Sequence, residues 1–181
     1  MDRSRVPAVL SIAGSDSSGG AGIQADIKTI TAHRLYAETA ITAITAQNTL
    51  GVTAVQNISP DIVAAQIDAV FDDIRPSAVK IGMVSSAEII EVIAERLSAW
   101  DATNVVVDPV MVATSGARLI AEDASEALTR RLFPLATVIT PNIPEAMALL
   151  DYEVDSERTQ QNAAMLLTRR FGCAALVKGG H

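Results

Sequence analysis

The feature that most constrains this chain is residues 13–26, A-G-S-D-S-S-G-G-A-G-I-Q-A-D. It follows the apolar run Ala8-Val9-Leu10-Ser11-Ile12, which reads as a buried strand, and leads into Ile23, Ile27 and Ile30, which begin a helical pattern. Strand, glycine-rich turn and helix start predict a place where backbone approaches a ligand closely, because glycine has no Cβ and tolerates positive φ. The helix N-terminus offers free N–H groups and a partial positive charge, which suits a polar or anionic small molecule. The plainer alternative is a loop that only turns a strand into a helix.

Two familiar glycine motifs are excluded. Gly14 and Gly19 have P-loop spacing, but Gly20 and Ala21 follow where a lysine and a hydroxyl residue are required. Gly20-Ala21-Gly22-Ile23-Gln24-Ala25 fits the dinucleotide fingerprint, which should follow its strand at once; here residues 14–19 intervene.

Apolar runs predict strands at 8–13, 39–46, 78–82, 104–108, 137–140 and 174–178, with a further edge strand or hairpin arm at 52–58. Helical spacing joins Val63, Ile67, Val70, Phe71 and Ile74, then Ile89, Val92, Ile93 and Leu97, then Ala163, Leu166, Leu167 and Phe171. Ser59-Pro60-Asp61 and Ser85-Ser86 suit helix starts. Alternating strands and helices predict a mostly parallel sheet with helices on both faces, and a ligand site at the C-terminal strand ends. With 181 residues and no linker or repeat, a single domain is expected.

The residues at those strand ends carry chemistry. Gln47 offers a donor and an acceptor side by side, matching a ring nitrogen beside an exocyclic amine, or it satisfies turn backbone. Met83 either caps a flat ring or fills core. Asp108, after Val105-Val106-Val107, suits a hydrated magnesium ion near a triphosphate. Thr114-Ser115-Gly116 reads as a polar loop. Glu145 lies three residues after Asn142, so it completes a capping box or supplies a second acid near Asp108. Lys178 before Gly179-Gly180 suits contact with phosphates.

Composition removes other classes. Fourteen basic against 21 acidic side chains give a net charge of −7, which disfavours nucleic acid and leaves phosphate to be held by backbone dipoles, a lysine or a metal. The single Cys173 suits a reducing compartment, and no signal peptide or membrane span is expected, so the reading is cytoplasmic. Neither His33, which closes a helix, nor His181 suits catalysis.

Taken together, the first stretch, T-A-Q-N-T-x-G-V, K-I-G-M, V-V-V-D-P-V-M, T-P-N-x-x-E-A and V-K-G-G-H resemble the hydroxymethylpyrimidine/phosphomethylpyrimidine kinases of thiamine biosynthesis, in the ribokinase-like superfamily. The resemblance runs unbroken from Val9 to His181. It implies a three-layer α/β/α fold, a homodimer, and phosphorylation of hydroxymethylpyrimidine and its monophosphate with ATP and magnesium. By motif position it implies Gly14, Asp26, Gln47, Met83 and Val110 around the pyrimidine. It implies Asp108, Glu145 and Lys178 on the nucleotide side, with Asp108 and Glu145 toward the metal.

Chains of that family continue past K-G-G-H into a glycine-rich segment that forms an anion hole, so the catalytic residue is expected outside the given sequence. Two other readings stand beside this one. A pyridoxal-type vitamin kinase shares such motifs, but pyridoxal has no amine beside its ring nitrogen for Gln47. A non-catalytic pyrimidine-binding module would need no anion hole.

Overall fold

The computed structural model describes residues 6–110 and 122–179. Met111, the expected polar loop at Thr114-Ser115-Gly116, Gly180 and His181 lie outside the described residues. Eight strands are described: β1 (Ala8–Ala13), β2 (Tyr36–Ile41), β3 (Ala43–Asn48), β4 (Gly51–Asn57), β5 (Ala78–Ile81), β6 (Val105–Val107), β7 (Val138–Ile139) and β8 (Ala174–Ala175). The helices are α1 (Gly22–Ala32), α2 (Pro60–Asp73), α3 (Ala87–Ala99), α4 (Glu122–Ala127), α5 (Ile143–Leu150) and α6 (Glu157–Phe171). No helix among the described residues is long and apolar enough to cross a membrane.

Six strands form one parallel sheet in the order β2-β1-β5-β6-β7-β8. Strand side chains alternate between faces. Leu10, Ile12, Val79, Ile81, Val105, Val107 and Ile139 share a core with Val63, Ile67 and Phe71 of α2, Ile89, Ile93 and Leu97 of α3, and Ala163 and Leu167 of α6. Of the expected helical stripes Val63, Ile67, Phe71, Ile89, Ile93, Leu97, Ala163 and Leu167 are buried, Val70, Ile74, Val92 and Phe171 are half-buried, and Leu166 is exposed. Helix α1 lies on the other face: Ser11 of β1 donates to Asp26 of α1 at 2.6 Å.

The expected strand at 39–46 is two strands in two sheets. The chain leaves the central sheet at Thr42, whose N–H donates to Ala13 O and whose hydroxyl donates to Met83 O. Ile58 N–H closes on Thr42 O, so β3 and β4 stand out as an antiparallel hairpin. The hairpin arm read at 52–58 is β4. The segment after α4 continues as a π turn (Leu128–Leu132) and a 3₁₀ turn (Phe133–Leu135), where Phe133 meets Phe171 edge to face at 4.8 Å. Sequence spacing predicted neither turn.

Candidate active site

The loop after β1 is held open by its own carboxylate. Asp16 is buried and accepts from Ser18 N–H and hydroxyl, Gly20 N–H and Ala21 N–H, at 2.8 to 3.0 Å. The Ser18 hydroxyl, then these backbone donors, hold the Asp16 carboxyl below its ordinary range against the opposing cost of desolvation. Ile23 N–H is also taken, by Gly14 O. The expectation of free N–H groups for an anion is narrowed, since Ser18, Gly20, Ala21 and Ile23 N–H already have partners within the chain. An internal carboxylate thus satisfies the loop donors up to Ala21, the residue that precedes α1, and shapes the loop into a pocket wall. Gly22 is required for this: its φ is +55° and a Cβ would stand 2.4 Å from Gly14 O.

The serines of the loop pair with β3 in alternation. Ser15 N–H donates to Ala43 O, Ser15 Oγ accepts from Thr45 N–H, and Thr45 Oγ1 donates to Ser15 O at 2.7 Å. Ser17 Oγ accepts from Gln47 N–H and donates to Gln47 O. Side-chain hydroxyls thus extend the pairing where the β3–β4 register shifts, between Ala46 and Gln47.

On the next wall, Asp26 follows Ile23 by three residues and shares its sheet-facing side. Its Oδ2 accepts from Ser11 Oγ and from Lys80 Nζ, the latter at 2.7 Å. Met83 packs over Gly14, where a Cβ would meet Met83 Cε at 2.7 Å. A cavity of about 430 Å³ opens between these parts, and all five pyrimidine-side candidates, Gly14, Asp26, Gln47, Met83 and Val110, line it together with Lys80 and Asp108. That volume suits one small molecule. A hollow of about 490 Å³ between α2 and α3, lined by Asp68, Arg96 and Trp100 among others, gathers none of the strand-end residues.

Asp108 lines the same cavity as the pyrimidine-side candidates. Its Oδ1 accepts from Lys178 Nζ at 2.7 Å and from Thr140 Oγ1 at 3.2 Å. A parallel bridge between Asn142 and Lys178 brings the last two motifs together. Glu145 is outside the cavity lining and 2% exposed. Its Oε2 accepts from Asn142 N–H while Asn142 Oδ1 accepts from Glu145 N–H, which is the capping box. Among the described residues no three His, Cys, Asp or Glu side chains form a metal cage. Magnesium beside a nucleotide needs only one or two carboxylates with phosphate and water, and partly exposed Asp108 fits that requirement.

The phosphomethylpyrimidine kinase family model matches residues 16–181. The chain belongs to the phosphomethylpyrimidine kinase family. It is 54% identical over 175 residues to the hydroxymethylpyrimidine/phosphomethylpyrimidine kinase of Rhizobium meliloti, covering 95% of this chain and 65% of that protein. The crystal structure of phosphomethylpyrimidine kinase from Clostridium difficile superposes with a TM-score of 0.90 at 47% identity, covering 98% of this chain and 76% of that one. An ADP complex of Bacillus subtilis pyridoxal kinase superposes at 0.87 with 38% identity, over 97% and 67%. The fold is therefore ribokinase-like, and the chain spans about two thirds of the length of the curated kinases it matches.

Sequence reasoning assigned no role to Lys80, Asp16 or Thr45. A signal existed for Lys80: it is a lone charge in the strand A-V-K-I, between buried Val79 and Ile81. The role of Thr45 depends on Ser15, 30 residues away, and left no local pattern, whereas Asp16 bonds within its own loop to Ser18, Gly20 and Ala21, which a serine- and glycine-rich run does not by itself announce.

Proposed function

We propose that this protein phosphorylates 4-amino-5-hydroxymethyl-2-methylpyrimidine and its monophosphate, using ATP with magnesium. The observation that carries the reading is the convergence of Gly14, Asp26, Gln47, Met83 and Val110 on one cavity that Asp108 also lines. Gln47 distinguishes this from the pyridoxal reading, because its amide pairs a donor with an acceptor for an aminopyrimidine edge.

In the proposed reaction, Gln47 holds the ring edge, and Met83 and Val110 contact its faces. Magnesium, when bound, offsets charge on the triphosphate. Asp108 and, through the N-x-x-E turn, Glu145 are the residues proposed to hold its hydration shell, and Lys178 to meet the phosphate chain. Their work is positioning and charge stabilisation for in-line transfer. We place the enzyme in the cytoplasm on its acidic, single-cysteine composition. We propose a homodimer because Ile44, Leu50 and Val55 expose apolar side chains on the β3–β4 hairpin.

Calorimetric titration with the aminopyrimidine tests the reading. The parent chain binds it. Gln47→Leu weakens binding by about 1–3 kcal/mol, the cost of an unmade hydrogen bond at a polar site. Equal affinities would sink the proposal. Sedimentation of the same sample reports the dimer, and a monomer at working concentration removes that part.

A further inference from the structure

The loop serines and Thr45 form a ladder that the proposed reaction leaves unused, and it ends at the Gln47 side chain. Thr45 is buried, and its hydroxyl has one proton. That proton has a partner in Ser15 O at 2.7 Å, while the Gln47 amide oxygen stands farther away, at 3.3 Å from the same hydroxyl. With the proton committed to Ser15, Thr45 turns lone pairs toward Gln47, and two oxygens then face each other with no hydrogen between them. A half-turn of the amide exchanges Oε1 with Nε2, and an N–H then meets the Thr45 lone pair. Ser17 fixes the backbone on both sides of this choice, accepting from Gln47 N–H at 2.8 Å and donating to Gln47 O at 2.6 Å.

We infer that Thr45 is a positioning residue that locks the Gln47 amide in this turned orientation and thereby selects a 4-aminopyrimidine over its 4-oxo counterpart. The inference rests on the pyrimidine reading of the cavity. One Nε2 proton goes to Thr45 and the other faces a ring nitrogen, leaving Oε1 to accept from the exocyclic amine beside it. The oxo ring presents the reverse pattern, a ring N–H and a carbonyl acceptor. It needs the amide turned back, with Oε1 against the Thr45 oxygen. Selectivity therefore comes from a repulsive element as much as from an attractive one.

The experiment is calorimetric titration of this chain, Thr45→Val, Thr45→Ser and Gln47→Leu with 4-amino-5-hydroxymethyl-2-methylpyrimidine and with the 4-oxo analogue. The parent prefers the amine. Thr45→Val lowers the amino-over-oxo ratio by about tenfold, within the range expected for one buried hydrogen-bond partner. Thr45→Ser keeps the ratio, since the hydroxyl is retained. A valine variant with the parental ratio overturns the inference while leaving the pyrimidine reading intact. A parent that binds neither ring overturns both. If the valine variant does not fold, the parent still decides by NMR. A Gln47 side-chain N–H proton should show a nuclear Overhauser contact to Thr45 Hβ, and its absence with ligand bound overturns the lock.

Discussion

Leu10 and Ile12 project from one side of β1, and Ser11 between them projects from the other. In β5, Val79 and Ile81 stand beside Leu10 and Ile12, and Lys80 stands beside Ser11. The first face is sealed under α2 and α3. The second carries the Ser11–Asp26–Lys80 contact against α1 and opens at its C-terminal edge into the cavity. A parallel sheet covered on both sides ordinarily reads as continuous apolar strand. Here the same strands carry folding energy on one side and polar chemistry on the other. A chain that must present charge next to a ligand without unfolding separates the two tasks by alternation alone.

The comparison breaks most visibly where the sealed face is opened. Leu10 is 0% exposed, so Leu10→Ala removes packed methyl groups and leaves a cavity. The expected loss is about 2–5 kcal/mol in denaturant unfolding. Aminopyrimidine affinity of the folded fraction should be unchanged, because Leu10 points away from the site. A change confined to affinity would show that the two faces are coupled and not separate.

The sealed face has one polar exception, which sharpens the contrast. Glu38 of β2 pairs with Leu10 and lies beside α2; it is 8% exposed, and its Oε2 has no hydrogen-bond partner among the described residues. Burial, and then the charge of Asp73, push its carboxyl up from about 4.5 to about 7. The folded chain therefore keeps a proton that the unfolded chain releases. Stability falls as pH rises from about 4.5 to about 7 and is flat above that. Glu38→Gln removes this slope and is more stable than the parent above pH 7 by about 1–3 kcal/mol. Thermal melts at pH 5 and pH 8 measure it; a parallel pair of curves would show that Glu38 is ionised without cost.

How far this was legible in the sequence follows from the range of the interactions. β1, α2 and α3 carry their own periodicity, so their apolar stripes were readable, and Asn142 with Glu145 announced its capping box at a spacing of three. The break at Thr42 was not readable, since the hydrogen bonds that turn the chain there come from Ala13, Met83 and Ile58. Gln47 could be nominated from its side-chain chemistry alone. The hydroxyls that aim it belong to Ser15, Ser17 and Thr45, and only the fold brings them together. The acidic loop was legible as a glycine turn. That Asp16 fills its N–H groups was not, because serine, aspartate and glycine in a row fit an open anion site equally well.

The smallest expected effect on stability lies at Asp108, in the cavity lining. Asp108 accepts from Lys178 and Thr140, yet the Lys178 and Asp108 side chains remain 40% and 24% exposed. An ion pair so placed contributes about 0–1 kcal/mol, because water and salt screen it and ordering two side chains opposes it. Asp108→Asn keeps an acceptor for both donors and should shift the melting temperature by no more than a few degrees. Its effect belongs to the proposed nucleotide side. With magnesium present, ADP affinity should fall about tenfold, since a hydrated magnesium ion loses its carboxylate. Without magnesium, ADP affinity should stay level or rise, because a negative charge has left the neighbourhood of the phosphates and the Lys178 charge is no longer offset by a carboxylate. That reversal separates a metal-directed carboxylate from a structural one. A structural carboxylate would lower stability and weaken ADP equally with and without the metal, and such a result would place Asp108 with the sealed face and not with the site.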